Sequence, residues 1–265
     1  MTCTVAVAGK GGTGKTTLSA LLTTALLKLG KTPVLAVDAD PNANLHEALG
    51  VTYGATVVGT AEAVLQDHGN QPAGLSRERV IEYGLHDALV ESRGFDLLVM
   101  GHGESAGCYC HANDLLRGFL EKLTQGYAYV VIDNEAGMEH LSRRTARHMD
   151  VLLLAANPTV TALRTVRRIH DLIGKLKLEV GRRFLVLNQL SPAQVVSGNG
   201  SGRSHGTGVG EELSALEKEG LPVVAEMPFD ERVYEHSVTS TGILNLPDDS
   251  RALVAAKALV RELGI

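Results

Sequence analysis

The chain of 265 residues has no tryptophan, four phenylalanines and six tyrosines. With so few rings, the interior must be built from Leu, Val, Ala and Gly, as in parallel sheets covered on both faces. Cysteine is scarce too. Cys3, Cys108 and Cys110 are too few and too unevenly placed for a disulfide scaffold, and they point to a reducing, cytoplasmic location. No apolar run approaches the ~20 residues of a membrane span. Met1-Thr2-Cys3-Thr4 runs straight into an apolar strand, so no signal peptide is expected. A net charge of −5 supplies no basic field for nucleic acid. What is left is a single α/β domain over residues 1–265, with neither membrane nor nucleic acid as partner.

Glycine, by contrast, is plentiful and concentrated at one place. Gly9-Lys10-Gly11-Gly12-Thr13-Gly14-Lys15-Thr16 fits the phosphate-loop pattern G-x-x-x-x-G-K-[ST]. The apolar run Cys3–Ala8 precedes it as a strand, and Leu18–Leu29 follows as a helix. Backbone N–H groups of Gly11, Gly12, Thr13, Gly14, Lys15, Thr16 and Thr17 can then surround phosphate oxygens at a helix N-terminus. Lys15 would neutralise the β- and γ-phosphates, and Thr16 would give its hydroxyl oxygen to Mg²⁺. Gly9, Gly11 and Gly14 also satisfy G-x-G-x-x-G. A dinucleotide-binding turn, however, leaves Lys15-Thr16 unexplained, as well as the two aspartates after the second strand. Lys10 is surplus to a one-chain site. Lying so close to its own loop, it is free to reach a neighbouring subunit's nucleotide.

Strand and helix patterns alternate along the chain. Apolar runs at 32–37, 95–100, 127–132, 151–155, 184–187 and 221–226 read as strands. Val160–Leu176 reads as an amphipathic helix carrying Arg164, Arg167 and Arg168, Asn113–Leu123 as a helix, and Leu253–Leu263 as the last one. Residues 45–93 read as short helices, and the Ser/Gly-rich 197–210 as a surface loop. This predicts a mostly parallel sheet of about seven to eight strands with helices on both faces, a P-loop NTPase fold. Such sheets bind ligands at the C-terminal strand ends, and the polar clusters of this chain fall there.

Those clusters carry the chemistry. Asp38 and Asp40, two apart at a strand end, suit the outer shell of Mg²⁺ and the attacking water respectively; their bland reading is a helix cap and a solvated turn. Asp133 follows Val130-Val131-Ile132 as the acid that pairs with a phosphate loop and holds Mg²⁺ directly or through water. In Asp133-Asn134-Glu135-Ala136-Gly137, the Gly137 N–H can sense a γ-phosphate. Asn188 can pair with an adenine edge, although a turn cap explains it equally well. Met227-Pro228-Phe229-Asp230 would form the other wall. Cys3 reads as inert core. Cys108 and Cys110, after the glycine-rich turn 101–107, suit a soft or borderline ion such as Zn²⁺, Cu⁺ or Ni²⁺. Two thiolates are not four, so a two-fold dimer would complete the set. His102 and His111 are candidate extra ligands. The alternative reading of these cysteines is surface thiols, with or without a redox role.

Together these residues resemble a known group. The loop with its extra Lys10 is similar to the deviant Walker A loop of the MinD, ParA and nitrogenase iron protein ATPases. Asp38 to Asn44 resembles their second acidic segment, Asp133 to Gly137 their switch II, and Asn188, Pro228 and Asp230 their adenine site. The resemblance implies ATP, Mg²⁺ and an ATP-dependent homodimer in which Lys10 reaches the partner's phosphates. Within the group, Gly107-Cys108-Tyr109-Cys110, Asn113-Asp114-Leu115-Leu116-Arg117 and Asp133 to Leu141 look most like the CooC type, with the AcsF type close by. That implies Ni²⁺ or Zn²⁺ on Cys108 and Cys110 at a dimer interface. It also implies a client nickel enzyme, carbon monoxide dehydrogenase or acetyl-CoA synthase. Switch II has no cysteine, so the iron–sulfur cluster of the nitrogenase protein is not expected. A ParA- or MinD-like positioning ATPase, acting on DNA or membrane, is the competing implication.

Overall fold

Strand β1, Cys3–Gly9, lies inside the sheet because Val5 to Ala8 are all apolar and can be buried on both sides. Its residues alternate between two cores. Val5 and Val7 join one cluster with Leu18, Leu22 and Leu26, while Ala6 and Ala8 join the other with Leu163 and Val166. This is the two-faced burial expected of an aliphatic parallel sheet. The computed structural model describes residues 2–66, 77–102, 118–136, 148–175, 178–191 and 207–265.

The other strands are β2 Val34–Asp38, β3 Leu89–Glu91, β4 Phe95–Val99, β5 Tyr129–Asp133, β6 His148–Ala156, β7 Glu179–Leu190 and β8 Val223–Pro228. They form one eight-stranded sheet in the order β3-β4-β2-β5-β1-β6-β7-β8. All neighbours are parallel except β3, which runs antiparallel to β4. The sequence reading had no antiparallel edge. It arises at Ser92-Arg93-Gly94, where Gly94 at φ 85° closes a tight turn.

Helices are α1 Lys15–Lys28, α2 Leu45–Leu49, α3 Val57–Gln66, α4 Arg77–Asp87, α5 Val160–Lys175, α6 Thr207–Lys218, α7 Glu231–Thr239 and α8 Arg251–Leu263; residues 118–124 are also helical. Helix α5 is amphipathic as expected, with Leu163, Val166, Ile169 and Ile173 inside. Two of its three arginines are paired. Arg164 Nε lies 2.8 Å from Glu212 Oε1, and Arg167 Nε lies 3.0 Å from Glu219 Oε2, both on α6.

Two helices escaped the sequence reading. The first turn of α6 falls in the Ser/Gly-rich stretch taken as loop, and α7 buries no residue and so shows no apolar stripe. Strand β7 begins earlier than Phe184, because its first residues are polar and exposed at the sheet rim.

One crossing ties the periphery together. Gly50, after α2, and Gly242, after α7, have φ of 71° and 66°. A Cβ on Gly50 would sit 2.7 Å from Thr241 O, so the two backbones touch where no side chain fits. Ile243 N donates to Ala48 O at 2.9 Å beside them.

Candidate functional site

The loop after β1 takes its shape from glycine and from β7. Gly14 caps α1 in the left-handed conformation at φ 76°, and a Cβ there would lie 2.6 Å from Asn188 Nδ2. Asn188, within β7, donates from that nitrogen to Thr13 O at 2.8 Å and Gly14 O at 3.3 Å. Thr13 Oγ1 donates to Lys10 O at 2.8 Å and tightens the turn. Lys15 is nearly buried, and its Nζ reaches Lys10 O at 3.5 Å; the Lys10 side chain is exposed. The sequence pattern placed Gly11 to Thr17 correctly as a strand–loop–helix. It did not foresee that Asn188 is part of the scaffold of the loop.

The acids converge. Asp38 and Asp133 are directly paired in register across β2 and β5, and neither is accessible to solvent. Asp38 Oδ2 accepts from Leu45 N at 2.7 Å and its Oδ1 from Asp40 N at 3.2 Å. Burial pushes its pKa up to about 6, with the Asp40 charge adding to the rise. Asp133 Oδ1 accepts from Ser19 Oγ at 3.1 Å, whereas Oδ2 is buried with no hydrogen-bond partner among the described residues. Burial, reinforced by the Asp38 charge, raises the Asp133 pKa to about 7, against the pull of the Thr16 hydroxyl and Lys15. A buried pair of carboxylates with an unpartnered oxygen beside a threonine hydroxyl is an all-oxygen donor set, the type a hard divalent cation takes. The residues therefore fit Mg²⁺. Ser19 was missed in the sequence, although it lies four residues after Lys15, so both project from one side of α1. Asp40 is partly exposed and forms a local turn, its Oδ1 accepting from Asn42 N at 2.9 Å.

The remaining expectations divide. Asp230 is buried and fully engaged in structure. Its Oδ1 accepts from Arg232 N at 2.9 Å, capping α7, and its Oδ2 accepts from Ser250 Oγ at 2.7 Å and Ala252 N at 3.1 Å, at the start of α8. Its neighbour Pro228 ends β8 on the same rim as Asn188. Ala136 Cβ is 3.8 Å from where a Gly11 Cβ would be, which brings the end of the described 118–136 segment beside the loop. Gly137, Cys108, Cys110, His111 and residues 192–206 lie outside the described residues, and His102 is exposed. Among the described residues no group of three His, Cys, Asp or Glu side chains could hold a metal ion, and no helix is long and apolar enough to cross a membrane. A cavity of about 280 Å³ opens beside Thr16 and Thr17, lined also by Asn44, Glu47, Val233 and His236, and gives a ligand on the loop room to extend.

Residues 4–241 match the CobQ/CobB/MinD/ParA nucleotide binding domain family. The chain is 33% identical to an uncharacterized ATP-binding protein of Methanocaldococcus jannaschii, over 98% of this chain and 97% of that one. It is 35% identical to the carbon monoxide dehydrogenase accessory protein CooC of Rhodospirillum rubrum, over 66% of this chain and 70% of that one. Its fold is similar to that of the MinD cell division protein of Aquifex aeolicus, with a TM-score of 0.68, 22% identity, and coverage of 100% of this chain and 97% of the other. The loop built on Gly14 and Asn188, the paired acids at its mouth and these likenesses agree: the chain belongs to the CobQ/CobB/MinD/ParA family and is one of its nucleotide-binding P-loop ATPases.

Proposed function

We propose that the chain is a Mg²⁺-dependent ATPase that dimerises on ATP and carries Ni²⁺ or Zn²⁺ on Cys108 and Cys110. It would assist nickel insertion into carbon monoxide dehydrogenase or acetyl-CoA synthase. The observation that supports this best is the Cys108-Tyr109-Cys110 motif in a P-loop ATPase that is 35% identical to CooC over 66% of its length. The reading needs both: the motif alone is two thiols, and the likeness alone is an ATPase.

On this reading Lys15 and the N–H groups from Gly11 to Thr17 hold the phosphates. Thr16 and Asp133 would hold Mg²⁺, Asp133 directly or through water, with Asp38 assigned to its outer shell. The ion would draw charge from the β- and γ-phosphate oxygens. Asp40 orients the attacking water, and Gly137 senses the γ-phosphate. Lys10, exposed on the loop, reaches the nucleotide of the second subunit. Asn188 and Pro228 bound the base, while Asp230 acts through the two helices it caps. Two chains meeting at the loops would bring four thiolates together, and hydrolysis would part them and release the ion to a cytoplasmic client. Metal and nucleotide must then favour one dimer state each, with a reciprocal coupling of about 1–3 kcal/mol, so 5- to 150-fold in nickel affinity.

The test is metal content and oligomeric state of the purified protein, with and without a non-hydrolysable ATP analogue. Cys108→Ser with Cys110→Ser should lose nickel and zinc and keep ATP; stoichiometric metal in that variant would refute the site. The second reading, a positioning ATPase, is favoured by the MinD-like fold. Retention on DNA or liposomes with ATP, and no metal uptake, would establish it. Helix α5, the candidate surface for DNA, offers little, since Arg164 and Arg167 are paired with Glu212 and Glu219.

A further inference from the structure

The amide of Asn188 is divided. An asparagine that reads adenine alone gives its oxygen to the N6 amino group and its nitrogen to N7. Here Nδ2 is taken by the carbonyls of Thr13 and Gly14, and Oδ1 accepts from Gln189 N at 2.9 Å while keeping a second lone pair. The donor for N7 has to come from another residue.

Gln189 is placed to supply it. It holds a left-handed backbone at φ 59°, a conformation that costs a residue with a side chain free energy and that concentrates at ligand sites. Its side chain is exposed, and its Nε2 lies 3.2 Å from where a Gly14 Cβ would be, against the last glycine of the loop. Asn157, at the end of β6, donates from Nδ2 to Gln189 Oε1 at 3.0 Å. Asn157 Oδ1 is buried with no partner among the described residues, and with the Asn157 nitrogen on Gln189 Oε1 the Gln189 nitrogen is the end of its amide left to donate. Among the described residues that nitrogen has no acceptor.

We propose that Gln189 Nε2 donates to adenine N7, beside Asn188 Oδ1 on the same base edge, and that Asn157 is the positioning residue that sets its polarity. The inference rests on ATP occupying the loop, as in the preceding reading. A split pair would let one side chain brace the loop while the other reads the base.

The experiment compares equilibrium binding of ATP and 7-deaza-ATP, which replaces N7 by a C–H, in three forms of the full chain. Wild type should bind 7-deaza-ATP about 5-fold more weakly, the scale of one neutral hydrogen bond. Gln189→Gly, which suits the positive φ, should bind ATP about 5-fold more weakly and no longer distinguish the two ligands. Asn157→Asp removes the donor and offers an acceptor in its place. The Gln189 amide then turns round, presents Oε1 to the base, and reverses the preference in favour of 7-deaza-ATP. Equal binding of both ligands by wild type, or unchanged discrimination in either variant, would overturn the proposal. Failure of wild type to bind ATP at all would instead refute the reading it rests on.

Discussion

Asp133 and Asp38 are paired in register on adjacent strands and both are fully buried, and that sets how this pair responds to pH. Both carboxyls have pKa values raised above the ordinary carboxylate range, to about 7 and about 6. At these two positions the folded chain therefore binds protons more tightly than the unfolded one. Without Mg²⁺ and nucleotide, the stability this pair contributes should be fully present near pH 4, fall as pH rises through 6 to 7, and level off above that. Asp133→Asn should flatten this slope and be more stable than wild type at pH 8, by a few kcal/mol at most. Thermal melts from pH 5 to 8.5 test it, and a wild-type profile that is flat over that window would contradict it. Gly14→Ala tests the loop at the same scale. A Cβ 2.6 Å from Asn188 Nδ2, at φ 76°, should cost roughly 1–3 kcal/mol and abolish ATP binding, measured by chemical denaturation and a fluorescent nucleotide. The acids and glycines were legible in the sequence because strand ends and G-x-x-x-x-G-K-[ST] locate them. Ser19, Asn157 and Gln189 were not, since a lone hydroxyl or amide shows its partner only when the chain is folded.

Helices α7 and α8 begin on one carboxylate. Asp230 supplies one acceptor to each start, so replacing it removes two caps together. Asp230→Ala should lose about 2 kcal/mol of stability, near twice the usual cost of one cap, read as a lower urea midpoint with an unchanged slope. If Asp230 also touched the base, ATP affinity would fall beyond what unfolding explains at a temperature where the variant is folded. Strands were the readable elements of this chain, because a buried parallel strand is a continuous apolar run. Helix α7 was unreadable for the opposite reason: with no buried residue it has no stripe, and it is held by its cap and by the crossing at Gly242. The antiparallel β3, three residues long, is too short for alternation to register.

Among the described residues the glycine loop, the paired acids, Asn157, Asn188 and Pro228 lie along one rim of the sheet, at the C-terminal ends of β1, β2, β5, β6, β7 and β8. That arrangement was legible from the clustering of polar residues after apolar runs, because parallel topology leaves no other place for them. What a second chain would add to the rim was not, apart from the surplus of Lys10. Lys10→Ala should bind ATP and neither hydrolyse it nor dimerise, whereas Asp40→Asn should hold a persistent ATP-bound dimer. Size exclusion with light scattering distinguishes the two, and full turnover by Lys10→Ala would remove the cross-subunit role. The contact of Gly50 with Gly242 has a further consequence at this scale. Helix α2 hangs from Asp38 at one end, through Leu45 N, and is pinned at the other to the loop that ends α7. The acid at the phosphate end and the helix on the far flank are thus two ends of a single short strut. A residue larger than glycine at either contact would lengthen that strut, shifting one end whenever the other is held.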